Sequence, residues 1–444
     1  MSLPNASAGP PGSAALQIDR PEVSVALATQ VAIVGLGYVG LPTALSLRDA
    51  GTRVLGIDIS VERLDVIRAG HVDLLRHDRE RLARFVDADD DLFALSADPR
   101  LLAEADAVII CVPTPVTPQL VPDLRALQGA CASVVQHARP GQTIILTSTT
   151  YVGCTRELLV VPLRERGLEP GSDVHIVFSP ERIDPGVEDH APEGTPRVVG
   201  GLTPACTAHA AEVLSHTSLR IHRVSSPEAA ELTKLLENTF RAVNISFANE
   251  MADIARHLGI EVKEVIDAAA SKPYGFMAFR PGPGVGGHCI PCDPHYLLWQ
   301  LRGERVSAPV IDAAMTGIAT RPRHVVRRVR DTLADIGRPL AGARVHVLGV
   351  AYKPGVADVR ESPALEILTE LLAAGADVTY CDEFVPTLTI SGTTLRSLSP
   401  DQVDADIVLV HTRQPGSDLS WLARHPHVLD ATFTLDEVKH SIRL

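Results

Sequence analysis

A short run of β-branched residues at Gln30–Val34 leads directly into Gly35-Leu36-Gly37-Tyr38-Val39-Gly40, and this junction restricts the fold more than any other stretch. The run has the composition of a buried strand and Leu41–Ala50 that of a helix. After Gly51 a second strand at Arg53–Ile57 ends in Asp58. Glycines at this spacing have separate tasks: Gly35 turns the chain out of the strand, Gly37 lets a pyrophosphate approach the backbone, and Gly40 lets helix and strand pack closely. The helix N-terminus offers unpaired N–H groups to phosphate, and Asp58, 18 residues beyond Gly40, is placed to accept from an adenosine ribose. An acid there repels a 2′-phosphate, so the pattern selects NAD.

The alternation of strand and helix continues. Apolar runs at Ala107–Val112, Thr143–Leu146 and Val174–Phe178 end respectively in Thr114, in Ser148 and Thr149, and in Ser179-Pro180-Glu181. Ligands of an open α/β sheet gather at such carboxyl ends. Helix capping is the competing use for Thr114 and Ser148. Ser226-Pro227-Glu228 is a strong helix start, and the helical pattern runs to about Leu258. At ~1.5 Å per residue that helix is roughly 50 Å long, enough to span a domain and carry a subunit interface. Lys234 and Asn238 share one face of it, although a surface pair between Glu231 and Lys234 also accounts for that lysine. Helices expected at about 262–270 and 295–320 complete an all-α middle. A second α/β unit follows, with strands at Ala343–Leu348, Val378–Cys381, Asp404–Val410 and Val428–Asp430 and a helix from Ser362 to Gly375. Its glycine turn is incomplete, but Lys353 and Arg360 stand near the end of its first strand, a basic pair suited to a diphosphate.

At 444 residues the chain exceeds one ordinary core. The expected fold class is α/β, with two doubly wound parallel-sheet domains joined by a central all-helical domain with one long helix. The expected divisions are residues 29–214, 215–325 and 326–444, after a disordered tail at 1–28 rich in Pro, Gly, Ser and Ala. A net charge of −13 argues against nucleic acid as a partner. No apolar run is long enough to span a membrane, and the N-terminus lacks the basic start and apolar core of a signal peptide. Seven scattered cysteines, an odd number, fit reduced thiols in the cytoplasm.

Pro281–Leu298, PGPGVGGHCIPCDPHYLL, fits no core. Its glycines at 282, 284, 286 and 287 let the backbone approach a ligand, and they deliver Cys289 with Asp293 four residues on. Three chemistries compete. Cys289, Cys292, His288 and His295 have metal-binding side chains, but four ligands inside eight residues, with two prolines among them, strain a tetrahedron, and no metal is expected. Cys289 and Cys292 form C-x-x-C, the spacing of a dithiol redox pair. The third reading makes Cys289 a nucleophile toward an aldehyde, with Lys234 steadying the oxyanion. Beside a dinucleotide domain and a phosphate-suited domain, that reading implies oxidation of an alcohol to an acid.

The chain resembles the nucleotide-sugar 6-dehydrogenases, the UDP-glucose/UDP-N-acetylhexosamine dehydrogenase family. The resemblance rests on VAIVGLGYVGLP (31–42), CVPTP (111–115), TSTT (147–150), FSPERIDPG (178–186), ELTKLLENTFRAVNISFANEM (231–251), GPGVGGHCIPCDP (282–294) and GVAYKPGVADVRESPAL (349–365). It implies an NAD-binding Rossmann domain, a central helical dimerisation domain and a Rossmann-like domain holding UDP, in a homodimer or higher oligomer built on the long helix. It implies a four-electron oxidation of the sugar C6 hydroxyl to a carboxylate. Cys289 then matches the nucleophile that forms thiohemiacetal and thioester, Lys234 and Asn238 the oxyanion group, Glu181 the water-activating glutamate, and Asp293 the aspartate beside the thiol. Gly35, Gly37, Tyr38, Val39, Gly40, Asp58, Arg63, Thr114, Ser148, Thr149 and Arg360 fall at NAD positions. Arg182, Arg280, Gly286, Tyr352 and Lys353 fall at UDP-sugar positions, beside Glu181, Lys234 and Asn238. Three positions depart from the pattern: Cys292 replaces an aliphatic residue, Ile318 stands about where relatives carry Asn, and Asp430-Ala431-Thr432 lacks the usual arginine. The stretch from Phe276 to His288 resembles most the UDP-N-acetylglucosamine branch, with UDP-N-acetylmannosamine and UDP-glucose as alternatives. A simple two-electron hydroxyacid or hydroxyacyl dehydrogenase shares the N-terminal pattern but has no use for the thiol. A non-catalytic sensor would lack one of Cys289, Lys234, Glu181 or Asp293, and all are present.

Overall fold

The computed structural model describes residues 30–72, 74, 76–87, 92–182, 194–287 and 289–444. The tail expected at 1–28 and the candidate metal ligand His288 lie outside the described residues.

The first sheet contains β1 (Gln30–Val34), β2 (Arg53–Ile57), β3 (Phe93–Ser96), β4 (Ala107–Ile110), β5 (Thr143–Leu146), β6 (His175–Phe178), β7 (Arg197–Gly201) and β8 (Ile221–Val224). Their order is β3-β2-β1-β4-β5-β6-β7-β8. The strand order reverses between β1 and β4, the crevice where such sheets bind ligands. Both faces are covered. Val31 and Ile33 pack with α1 (Gly40–Asp49), α2 (Val61–Arg68) and α3 (Arg76–Asp87), whereas Ala32 and Val34 enter the opposite core with α4 (Arg125–His137) and α5 (Val161–Glu165). Burial on both sides is why β1 reads as an unbroken apolar run. α6 (Pro204–Ser215) packs on the first face.

Two features differ from the parallel sheet expected to end at residue 214. β7 runs antiparallel to β6, and β8 extends the sheet beyond that boundary. β8 reads Ile-His-Arg-Val and is half-exposed, so it lacks the apolar signature of the inner strands. A Cβ at Gly200 in β7 would stand 2.1 Å from the carbonyl oxygen of Ser226, so glycine is required where the next helix begins.

That helix, α7 (Pro227–His257), is capped by Ser226, whose hydroxyl accepts from Ala229 N–H. It is followed by α8 (Val262–Ala270), α9 (Asp293–Gly303) and α10 (Pro309–Asp335). The single helix expected at 295–320 is therefore two. The chain breaks after Gly303, Arg305 adopts φ +60°, and Pro309 restarts the helix at a position needing no N–H donor. α10 also crosses the expected boundary at 325, because Val325, Val329 and Leu333 belong to the core of the last domain.

The second sheet is parallel, in the order β10-β9-β13-β14-β15. Its strands are β9 (Arg344–Leu348), β10 (Asp377–Cys381), β13 (Ile407–Val410), β14 (Val428–Asp430) and β15 (Ile442–Arg443). A separate hairpin pairs β11 (Thr387–Ile390) with β12 (Thr393–Arg396), and α11 (Pro363–Ala373) packs into the same core. Asp382 stands at the end of β10 as Asp58 stands after β2. Its Oδ2 accepts from Val350 and Ala351 N–H at 2.8 and 3.2 Å, and its Oδ1 accepts from Phe384 N–H and the Gln414 amide. The protein itself thus occupies this carboxylate, and the second turn offers no ribose acceptor equivalent to Asp58.

Candidate active site

The first glycine turn fits a dinucleotide on its own geometry. Gly35 has φ +90°, and a Cβ there would meet Cys111 O at 2.5 Å; a Cβ at Gly40 would lie 1.9 Å from Gly35 O. Gly37 has no atom within 4 Å of its Cβ position, so the space beside it is open. Asp58 Oδ2 accepts from Leu36 N–H at 2.8 Å and Oδ1 from Ser60 N–H at 3.0 Å, which leaves lone pairs on both oxygens for ribose hydroxyls. Arg63 Nε donates to Leu36 O at 2.9 Å and fixes the far side of the turn. Val39 occupies the N-cap position of α1 without a side-chain cap. Ser148 Oγ accepts from Val112 N–H at 2.9 Å, binding the ends of β5 and β4 together, and half-buried Thr149 follows it. Half-buried Thr114 presents its carbonyl to the Tyr296 hydroxyl at 2.9 Å, which joins this domain to α9.

Arg360 arrives from the last domain. Its guanidinium forks onto Asp358, with contacts of 2.6 to 3.1 Å, and lies 5.7 Å from the ring centre of Tyr38. The C-terminal domain thereby reaches the dinucleotide turn.

The thiol site is built on α7 and the start of α9. Asn238 Nδ2 donates to Asp293 Oδ2. The main-chain N–H groups of Cys292 and Asp293 both donate to Cys289 O, at 3.2 and 2.8 Å, so a tight turn presents exposed Cys289 directly before the helix. Asp293 is only 3% exposed. Burial pushes its carboxyl up to about 6, while the Lys234 charge and the Asn238 hydrogen bond pull it partly back. Lys234 Nζ donates to Glu181 O at 2.8 Å. Cys292 is buried and its thiol is pushed up to about 12, chiefly by burial and then by the Asp293 charge. A thiol that stays protonated is a poor half of a dithiol redox pair. Among the described residues no group of three or more metal-binding side chains is assembled.

The glycine stretch leading to Cys289 is clamped between domains. Gly282 N–H donates to Asn249 Oδ1 at 2.8 Å, and Gly282 O accepts from Arg321 Nε at 2.9 Å. A Cβ at Gly286 would meet Glu361 O and Tyr352 Cβ at 2.6 Å, and Gly287 has φ +78° with Tyr352 Cε2 2.9 Å from its Cβ position. Gly287 N–H donates to Arg360 O at 3.3 Å. Lys353 Nζ lies 5.7 Å from the Tyr352 ring centre, on the same segment.

Two candidate substrate arginines sit in ion pairs of their own. Arg280 is exposed and bonded to Asp267 at 2.6 Å, while Arg182 pairs with Glu237 and donates to Pro196 O at 2.7 Å. The surface pair considered for Glu231 and Lys234 does not form. Glu231 is fully buried and accepts from Gly153 N–H, Thr155 N–H and the Thr155 hydroxyl at 2.6, 2.9 and 2.6 Å. Sequence reasoning also missed Asn249, Arg321 and Arg197. Arg321 and Asn249 bracket Gly282 from α10 and α7, and no short-range pattern links residues so far apart. Arg197 is ion-paired with Glu181 at 2.7 Å with both side chains nearly inaccessible, a contact that arises only from the antiparallel return of β7. Ile318 packs with Ala242, Leu298 and Met315 in an apolar cluster, consistent with its departure from asparagine.

A glycine turn shaped for a dinucleotide, linked through Arg360 to the loop that carries an exposed thiol, fits an NAD-dependent dehydrogenase. Comparison with known proteins resolves the class further. The chain matches the UDP-glucose/GDP-mannose dehydrogenase NAD binding domain over residues 29–218, the central domain over 228–317 and the UDP binding domain over 346–437. It is 34% identical over 355 residues to the UDP-N-acetyl-D-mannosamine dehydrogenase of Campylobacter jejuni, covering 78% of this chain and 84% of that one. It is also 34% identical over 353 residues to an NDP-N-acetyl-D-galactosaminuronic acid dehydrogenase of Ralstonia nicotianae, covering 77% and 80%. The solved UDP-D-ManNAc dehydrogenase of Pyrococcus horikoshii superposes with a TM-score of 0.84 at 28% identity, over 94% of this chain and 98% of that one. The chain belongs to the UDP-glucose/GDP-mannose dehydrogenase family, NAD-dependent oxidoreductases acting on nucleotide sugars. No helix among the described residues is long and apolar enough to cross a membrane.

Proposed function

We propose that this enzyme oxidises the C6 hydroxyl of a UDP-N-acetylhexosamine to a carboxylate, with UDP-N-acetyl-D-mannosamine as its substrate. The observation that carries the chemistry is the buried link from Asn238 to Asp293 and on to the turn that presents Cys289, with Lys234 alongside. For the sugar, relatives named for N-acetylmannosamine and N-acetylgalactosaminuronic acid favour that alternative over the N-acetylglucosamine branch to which the Phe276–His288 stretch pointed.

NAD, when bound on the first glycine turn, supplies the acceptor for one hydride at each of two oxidations. Cys289 Sγ adds to the C6 aldehyde to give a thiohemiacetal, whose oxidation leaves a thioester. Lys234 Nζ and the Asn238 amide face the oxygen that carries charge at each stage. Asp293, held near 6, exchanges a proton with the reacting centre close to neutral pH. Glu181 activates the water that releases the uronate. Gly286, Tyr352 and Lys353 hold the UDP end.

A homodimer is part of this proposal. Leu232, Leu236, Phe240, Phe247, Ile254 and Leu258 leave an apolar stripe exposed along α7, of the kind that marks a subunit interface. The odd number of cysteines, scattered along the chain, supports a reducing, cytoplasmic setting.

The test is a panel of UDP-sugars with NADH counted against product identified by mass spectrometry. Two NADH per uronate with UDP-N-acetyl-D-mannosamine is expected. One NADH per product, or turnover confined to UDP-glucose, refutes the proposal.

A further inference from the structure

We propose that Arg197 is a positioning residue for the hydrolytic half of the reaction, acting through Glu181. The inference rests on the function proposed above. β7 pairs antiparallel with β6, with Val177 opposite Gly201 and Phe178 opposite Gly200, and continuing that register sets Glu181 opposite Arg197. The reversal brings the first residue of β7 to the carboxyl edge of the sheet, where the other strands release their ligand-binding residues.

Arg197 Nη2 lies 2.7 Å from Glu181 Oε2, with the two side chains 8% and 12% exposed. The other carboxylate oxygen accepts the Arg182 main-chain N–H at 2.8 Å. Glu181 O accepts from Lys234 Nζ at 2.8 Å, and Arg182 donates to Pro196 O and pairs with Glu237, three residues from Lys234 on α7. Residues 181–182 and 196–197 therefore form a clasp, and α7 holds it at two points. A guanidinium fixes a carboxylate's direction as well as its charge, which an ammonium does less well.

The consequence follows from which atoms are held. In thioester hydrolysis a water oxygen bonds to the acyl carbon, the C–S bond breaks with its electron pair going to Cys289 Sγ, and one water proton passes to the Glu181 carboxylate. Nothing is oxidised or reduced in this step. Glu181 Oε1 accepts from the Arg182 main chain and Oε2 is ion-paired with Arg197, so the Arg197 charge governs how the carboxylate is held. Both hydride losses precede this step and rely on Lys234 and Asp293, with Cys289 engaged for the second. The Arg182 contacts keep the main chain of Glu181 in place when Arg197 is removed, so its loss is expected to separate oxidation from hydrolysis.

The experiment compares full-length wild type, R197M and R197K by rapid quench with UDP-N-acetyl-D-mannosamine. NADH is followed optically and Cys289 by intact-protein mass. R197M is expected to release two NADH per site in its first turnover, to accumulate an acyl adduct on Cys289, and to turn over about a hundredfold more slowly, as misplacing a reacting group by about 1 Å does. R197K is expected to recover part of the rate and show less adduct. If R197M does not fold, R197K alone decides, with adduct above the wild-type level expected. A folded R197M without adduct, whether its NADH steps slow equally or its hydrolysis stays at the wild-type rate, overturns the proposal, as does R197K without adduct where it decides alone. Wild type giving two NADH per uronate in those cases leaves the functional reading standing. Wild type that makes no uronate overturns both.

Discussion

Asp293 is a buried carboxyl whose environment opposes its charge, and replacing it by asparagine tests that directly. Burial moves its carboxyl from 3.8 to about 6, against the pull of Lys234 and Asn238. At about 1.4 kcal/mol per unit, the folded chain pays about 3 kcal/mol to keep this carboxylate ionised. The folded state binds this proton more tightly than the unfolded chain does. The cost is therefore absent below about pH 4, grows between pH 4 and 6, and is complete above pH 6. Asp293→Asn keeps the shape and an acceptor for Asn238 but removes the charge. The variant is expected to be more stable than wild type at pH 7.5 by up to about 3 kcal/mol, with the advantage vanishing near pH 4. It should also lose uronate formation, exchanging activity for stability at one residue. The assay is thermal unfolding followed at Trp299, on the same helix as Asp293, in a Trp421→Phe background at pH 7.5 and 4.5. An Asp293→Asn protein that is less stable than its parent at both pH values, or more stable by an equal margin at both, refutes the assignment of the cost to burial of this charge.

The other predictions concern separate parts of the molecule. Burial holds His346 and His411 down to about 4, so each stays neutral in the folded domain and becomes charged on unfolding. Stability of the C-terminal domain is present above pH 6.5 and is lost as pH falls toward 4, by roughly 3 kcal/mol for each histidine. In a Trp299→Phe background the emission of Trp421, which packs edge-on to His346, should report acid unfolding in that window. Gly286→Ala puts a methyl 2.6 Å from Glu361 O and Tyr352 Cβ, and overpacking of about 1–3 kcal/mol is expected to appear as a raised KM for the UDP-sugar. Unchanged KM and unchanged melting temperature would show that the two segments do not close as described. Cys289→Ser should abolish uronate while calorimetry still detects UDP-sugar binding, whereas full turnover would return the chain to two-electron chemistry.

The sequence made legible what local patterning controls. β1, β2 and β5 and the start of α7 stand where composition and capping put them, because strand burial, glycine turns and an N-cap serine act within a few residues. Lys234 and Asn238 share a face for the same reason. The break in the helix expected at 295–320 was also present as a local signal, in Gly303 and in Ala308-Pro309, but apolar composition on both sides hid it. What escaped was carried by distant partners. Glu231 reads as half of a surface pair with Lys234, yet it is buried because Gly153 and Thr155 supply three donors from a turn almost 80 residues earlier. Gly282 needs Asn249 and Arg321, and Glu181 needs Arg197; each contact joins segments that become neighbours only after two or more elements have packed. These residues share one property. Each is a polar group removed from water, and such burial is tolerated only where a partner is fixed in place. Around Cys289 those fixed partners come from α7, from α10 and from the segment beside Tyr352. The glycine stretch that leads to the thiol is therefore held by the central helices and the C-terminal domain together.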